Sequence, residues 1–276
     1  MSIKLVAVDM DGTLLNEHNQ LSPKTIQVVK AAKKAGIKVI LCTGRPLTGV
    51  TPFLKELGLT ETSDYVITFN GALVQNTASG EILVRHTLTH AQYLELESLS
   101  RQIGTHLHVE DDQFIYTANR NISPYTTGES TLVNMPIKFR HVDEIDPDKA
   151  FSKAMLIDEP TILAQGKAKI PAEFFERYQF VQSEPYFLEV LNKNAGKGSG
   201  LNDLATVLKI TPEEVMAIGD QGNDLSMLAY AGFPVAMDNA IPELKNIAKV
   251  ITKSNHLGED GAAYAIEKYA LNNNIL

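Results

Sequence analysis

The sequence predicts an α/β protein: a doubly wound parallel-sheet core built from both ends of the chain, interrupted by an inserted α+β domain. Three observations predict it. Apolar strand-like runs alternate with helical patterns over residues 3–57, and the same alternation returns over residues 201–248. Between about Arg85 and Glu189, helix and strand patterns mix without the near-continuous apolar runs of a parallel sheet buried on both faces. The expected division is residues 1–84 with 190–276 as the core and 85–189 as the insertion, and 276 residues suffice for two domains.

Each element follows from local pattern. Ile3 to Val8 is apolar apart from Lys4 and stops at Asp9, as a buried strand would. Ser22-Pro23, the apolar spacing Ile26, Val29 and Ala32, and Gly36 past the end mark a capped helix. Lys38 to Cys42 is a second strand, and Thr43-Gly44-Arg45-Pro46 opens a second helix. Tyr65 to Asn70 is a third strand, and Ala72 to Val84 a hairpin with Ser79-Gly80 at its tip. In the insertion we expect helices near 89–103, 122–132 and 160–177. Strands are expected at Leu107–Val109, Phe114–Thr117, Lys153–Ile157, 178–182 and 186–191. The core then resumes with helix Leu201–Leu208, strand Val215–Ile218, helix Asp224–Ala231, strand Val235–Met237 and a helix near 242–248.

Composition narrows the function. A formal net charge of -8 argues against a nucleic-acid backbone or an anionic membrane as partner, since both need a basic face. Cys42 is the only cysteine, so no intramolecular disulfide can form. No segment approaches the roughly 20 apolar residues of a membrane helix, and the first residues show no signal-peptide pattern. A soluble cytoplasmic protein is expected, with no nucleic-acid and no membrane partner and with its oligomeric state open.

The chemistry gathers at strand ends, where open α/β sheets bind their ligands. Were the chain to stay extended after Asp9, Asp9 and Asp11 would share one side about 7 Å apart and repel by roughly 2 kcal/mol. The plain alternative is an Asp-Gly turn with both acids solvated. Thr43-Gly44-Arg45 offers a hydroxyl and backbone N–H groups to an anion, or simply caps a helix. Lys197 lies in Asn194-Ala-Gly-Lys-Gly-Ser-Gly200, which fits neither a Walker A loop nor GxGxxG; taken alone it reads as a solvated loop lysine. Gly219-Asp220-Gln221-Gly222-Asn223-Asp224 places two more acids at a strand end and helix start, where they could merely complement the helix dipole. Three carboxylates at adjacent strand ends describe instead a hard-cation site, and oxygen-only ligation favours Mg2+ over zinc.

Asp9-Met10-Asp11-Gly12-Thr13, Thr43, Lys197 and Gly219 to Asp224, in that order, resemble the four motifs of haloacid dehalogenase superfamily phosphatases. The long insertion, with Thr-Gly-Arg-Pro at 43–46 and Asn70-Gly71-Ala72, is similar to the Cof-type branch. The resemblance spans essentially the whole chain and implies a Rossmann-like core with the insertion as a cap over the site. It implies Asp9 as nucleophile and Asp11 as acid and base. It implies Mg2+ held by Asp9, Asp11 through its carbonyl, Asp220 and Asp224, and a substrate phosphoryl group among Met10, Thr43, Gly44, Arg45, Lys197 and Asn223. Small phosphorylated metabolites, sugar phosphates above all, would be hydrolysed through an aspartyl phosphate. A sugar phosphomutase of the same superfamily and a receiver-like phospho-acceptor module are the alternatives. Arg45, Asn70, His106, His108, Asn119 and Arg120 are candidates to contact the leaving group.

Overall fold

The computed structural model describes residues 2–272, which form two compact units. The first unit begins with strand β1 (Leu5–Val8), whose four residues are all buried. Helix α1 (Pro23–Lys34) follows, capped by the Ser22 side chain accepting from the Thr25 N–H. Next come β2 (Lys38–Cys42), α2 (Leu47–Leu57), β3 (Tyr65–Thr68), β4 (Leu73–Asn76) and β5 (Ile82–Arg85).

The second unit, residues 85–195, holds α3 (His90–Ile103), β6 (His106–Glu110), β7 (Ile115–Thr117), α4 (Pro124–Val133), β8 (Ile137–Phe139) and β9 (Lys153–Ile157). It continues with α5 (Pro160–Lys167), α6 (Ala172–Arg177), β10 (Tyr178–Glu184) and β11 (Phe187–Asn192). The chain then rejoins the first unit through α7 (Lys197–Leu208), β12 (Val215–Gly219), α8 (Leu225–Tyr230), β13 (Phe233–Ala236), α9 (Pro242–Ile247), β14 (Val250–Ile251) and α10 (Gly261–Ala265).

The first unit is doubly wound. Its sheet runs β14-β13-β12-β1-β2-β3-β4-β5. From β14 to β3 the pairs are parallel, and β4 turns antiparallel to β3. β1 sits between β12 and β2 with Val8 in register with both Ile218 and Leu41, so the three strands end together. Residues Asp9, Thr43 and Asp220, each one past a strand end, are thereby delivered to the same edge. Burying the β1 side chains, each completely covered, stabilises this placement by about 1.5–3 kcal/mol apiece for the valines and leucine.

The second unit is a six-stranded sheet in the order β10-β11-β9-β6-β7-β8, antiparallel except between β7 and β8. One face is apolar: Leu107, Val109, Ala154, Leu156, Leu188 and Val190 join Tyr93, Leu96, Leu99 and Ile103 of α3 in one core. On the opposite face the strand alternation places His108, Glu110, Lys153, Met155 and Glu189. Among the described residues, no helix is long and apolar enough to cross a membrane.

Three expectations change, and three short elements join them. The predicted helix over 160–177 is two helices, because Pro171 cannot continue the first. The helix expected at Leu201 starts at Lys197, its first turn being the glycine-rich stretch that masked it. The return to the core expected at residue 190 falls inside β11, which pairs with β9 and β10, so the unit boundary lies between Ala195 and Gly196. Short elements β8, β14 and α10 carried too little pattern to be read.

Candidate active site

The site grows out of the turn that ends β1. After Asp9 the chain does not stay extended: it folds into a tight helical turn over Met10–Leu14, with the Leu14 and Leu15 N–H groups returning to the Asp9 and Met10 carbonyls. Gly12 turns the corner at φ 83°, a left-handed value suited to glycine. A methyl added there would also meet Asp220 Oδ2 at 2.5 Å.

This turn separates the two acids. Asp9 is buried, whereas Asp11 is exposed and takes both Nε and Nη2 of Arg45 on its carboxylate. The sequence expectation that Asp9 and Asp11 crowd one another is therefore corrected. The acids that press on Asp9 are Asp224 and Asp220, which come from the far end of the chain. The Asp11 carboxylate likewise stands outside the acidic cluster.

Asp9, Asp220 and Asp224 each offer an oxygen to one point, these atoms lying within 4.8 Å of one another, and all three residues are buried. Lys197, expected from its local sequence to be solvated, is instead wholly buried at the first position of α7. Its Nζ donates to Asp9 Oδ1 and Asp224 Oδ1, each at 2.6 Å. Burial opposes the ammonium, but Asp224 and Asp9 outweigh it and hold Lys197 protonated. Burial, followed by Asp224 and Asp220, pushes the Asp9 carboxyl well above the usual carboxylate range against the pull of Lys197. Asp220 is raised as well, by burial first and Asp224 next, while Thr13 opposes.

Three buried acids facing one ammonium leave room for further positive charge, and the all-oxygen donor set with its buried geometry fits a hard divalent cation. Asp220 is aimed by Thr13 Oγ1, 2.8 Å from Oδ1, and by Gln221 and Asn239 amides on Oδ2 at 3.3 and 3.4 Å. Asp224 Oδ2 accepts the N–H groups of Asp220 and Gln221 at 3.0 and 3.1 Å, which closes the 220–224 turn.

The second strand end brings Thr43, buried, and Gly44. Thr43 is not a helix cap: its Oγ1 accepts the Arg45 N–H at 3.1 Å, and α2 begins only at Leu47. Met10 is fully buried beneath the turn, so its side chain packs in the core. Asn223 is half-buried and donates from Nδ2 to Asn70 Oδ1 at 3.1 Å.

The candidates in the second unit divide. His108 is wholly buried, held between Thr126 and Glu110, and Asn119 Oδ1 is occupied by the Leu107 N–H and the Thr117 hydroxyl. These bonds brace β6 and its neighbours; His108 is thereby closed to a substrate, whereas Asn119 is half-buried with its acceptor oxygen engaged. His106 pairs with Asp158 and keeps partial exposure, and Arg120 is exposed. Sequence reading passed over Thr13 and Asn239. Thr13 stood within the first motif, and Asn239 follows the end of β13, the signal that marked the other three strand ends.

A family model described as haloacid dehalogenase-like hydrolase matches residues 6–266. The chain is 47% identical over 272 residues to a Streptococcus pyogenes protein named "Putative phosphatase", covering 99% of this chain and 100% of that one. It is 30% identical over 293 residues to a Bacillus subtilis 5-amino-6-(5-phospho-D-ribitylamino)uracil phosphatase, covering 96% of this chain and 98% of the relative. Among solved structures, a haloacid dehalogenase-like hydrolase from Bacteroides thetaiotaomicron superposes with a TM-score of 0.85 at 31% identity, over 97% of this chain and 99% of that one.

Proposed function

The chain belongs to the haloacid dehalogenase-like hydrolase family, and from that premise we propose that it is a Mg2+-dependent phosphatase of small phosphorylated metabolites, sugar phosphates foremost, working through an aspartyl phosphate on Asp9. The observation that carries this reading is the buried cluster of Asp9, Asp220 and Asp224 around the Lys197 ammonium. A carboxylate and a fixed cation at one strand end are what attack on phosphorus requires. The Bacillus subtilis relative named for a phosphorylated ribityl compound supports a small polyol or sugar ester as substrate.

Asp9, Asp220 and Asp224, with the Asp11 carbonyl that the family resemblance adds, would hold Mg2+. When bound, the ion neutralises charge on the acids and on the phosphoryl oxygens. Asp9 attacks phosphorus: an Asp9 oxygen–phosphorus bond forms, the ester bond breaks, and its electron pair leaves with the alcohol oxygen. Asp11, exchanging Arg45 for the leaving group and taking up a proton from solvent, gives that proton to the alcohol oxygen, and then takes one from the water that opens the aspartyl phosphate. Lys197, Thr43, Gly44 and Asn223 steady the phosphoryl oxygens as charge spreads over them.

The test is phosphate release from a panel of sugar phosphates and p-nitrophenyl phosphate, with Asp9→Asn as control. The amide keeps the shape but cannot attack, so turnover should fall at least about a thousandfold, roughly 4 kcal/mol of barrier. Residual turnover above that level would remove Asp9 as nucleophile. Transfer to a second sugar hydroxyl without free phosphate would make the enzyme a mutase.

A further inference from the structure

One segment at the site has no role in the chemistry above, yet three parts of the site meet on it. Directly after β3 the backbone runs left-handed for three consecutive residues, Phe69, Asn70 and Gly71, at φ 50°, 53° and 89°. Asparagine and glycine accept such values, but a buried phenylalanine adopts them only at a cost, which surrounding structure must hold in place. The surroundings do so. The Phe69 N–H donates to the Arg45 carbonyl at 3.2 Å, and the Asn70 N–H to the Thr43 carbonyl at 2.9 Å, tying the turn to the loop after β2. Gly71 lies against the start of α7 so closely that a methyl on it would stand 2.0 Å from the Gly196 carbonyl oxygen, one residue ahead of Lys197.

The strained turn presents a buried side chain. Asn70 packs on Gly44, where an added methyl would come 3.1 Å from its Nδ2, and its Oδ1 accepts from Asn223 Nδ2. An asparagine amide has two faces of similar shape, one bearing an acceptor and the other two N–H donors. Left alone, Asn223 could turn either toward an anion, and the oxygen would repel it. By taking one Nδ2 hydrogen, the Asn70 oxygen fixes the donor orientation and leaves the second hydrogen for a phosphoryl oxygen.

We propose that Asn70 is a positioning residue: its Oδ1, held by the left-handed turn over Phe69–Gly71, orients the Asn223 amide so that an N–H faces the phosphoryl group. This rests on the phosphatase reading and adds to it a residue that touches neither metal nor substrate. Its action runs through Asn223, so the two side chains must be coupled.

The experiment is a double-mutant cycle of Asn70→Gly, Asn223→Ala and the pair, with kcat/KM for p-nitrophenyl phosphate and the competitive inhibition constant of inorganic phosphate as readouts. Glycine keeps the left-handed backbone and deletes only the side chain. Each single variant should lower kcat/KM by about ten- to a hundredfold and weaken phosphate inhibition about tenfold, as loss of one anion donor does. The pair should fall no more than about threefold below the worse single variant. Thermal midpoints should stay within a few degrees of wild type. The proposal is overturned if either single variant matches wild type, if the two losses multiply, or if Asn70→Gly loses activity by unfolding. A wild-type protein that releases phosphate from no ester defeats the phosphatase reading itself. An active wild type with an indifferent Asn70→Gly defeats only the positioning role.

Discussion

At the scale of single residues, burial decides what a charge does. Lys197, which its glycine-rich surroundings suggested was solvated, is wholly covered, whereas Asp11, two residues from the buried Asp9, faces solvent. Removing one partner of a buried ion pair leaves the other charge desolvated and unmatched, at a cost of about 3–5 kcal/mol. Lys197→Met keeps the length of the side chain and deletes its charge, leaving Asp9 and Asp224 without their common donor. We expect it to melt well below wild type in EDTA and to recover part of the difference in excess Mg2+, as the cation takes over the compensation. Calorimetry in both buffers checks this. Equal midpoints in EDTA would show that the acids are already neutral and that Lys197 does not hold them.

Elements carry a second charge cluster, on the polar face of the second unit. Lys153 of β9 is buried with Glu110 of β6 and Glu129 of α4 at 3.4 and 3.1 Å, and Glu189 of β11 lies near. The buried face of α4 is Thr126, Glu129 and Val133, so this helix docks partly through polar groups that meet His108 and Lys153. One lysine cannot serve all three acids equally. Burial raises the Glu189 carboxyl above its ordinary value, although Lys153 and a bond to Ser183 work the other way. A raised acid binds more protons folded than unfolded, so its contribution to stability is fully present below its unfolded pKa of about 4.5 and is lost as pH rises through the folded value. Glu189→Gln removes that loss. It should melt above wild type at pH 7, with the gap closing as pH falls toward 4, as read from melting curves across that range. A variant less stable than wild type at pH 7 would mean that Glu189 is needed ionised against Lys153.

On the scale of the whole molecule, every residue placed in the chemistry comes from the first unit, residues 1–84 and 196–276. We propose that substrate choice falls to the second unit, whose exposed candidates are Arg120 and the partly exposed His106. Arg120→Ala should change the ratio of kcat/KM between sugar phosphates and p-nitrophenyl phosphate by about 1–3 kcal/mol and leave Mg2+ affinity unchanged. Steady-state kinetics with a metal titration test it. Uniform loss on every substrate would remove Arg120 as a determinant of choice. His108→Ala, by contrast, deletes a wholly buried side chain and should act on stability rather than on the ratio.

The part of this fold legible in the order of residues is the part that depends on local pattern. Apolar runs of four to six residues beside capped helices dictate a doubly wound sheet, because such runs are stable only when covered on both faces. The strand-end rule then picks out Asp9, Thr43 and Asp220 without knowledge of their distances. The Pro171 break and the start of α7 at Lys197 were obscured because proline after a helix and glycine within one read the same way as a loop. Which acid faces which depends on the folded chain. Asp9 and Asp11 are two residues apart yet divided by a turn, whereas Asp9 meets Lys197, at the start of α7, and Asp224, after the paired strand β12, across separations of 188 and 215 residues. Charge interactions fall off with distance in space and strengthen with burial, and neither quantity is written in the spacing of residues along a chain.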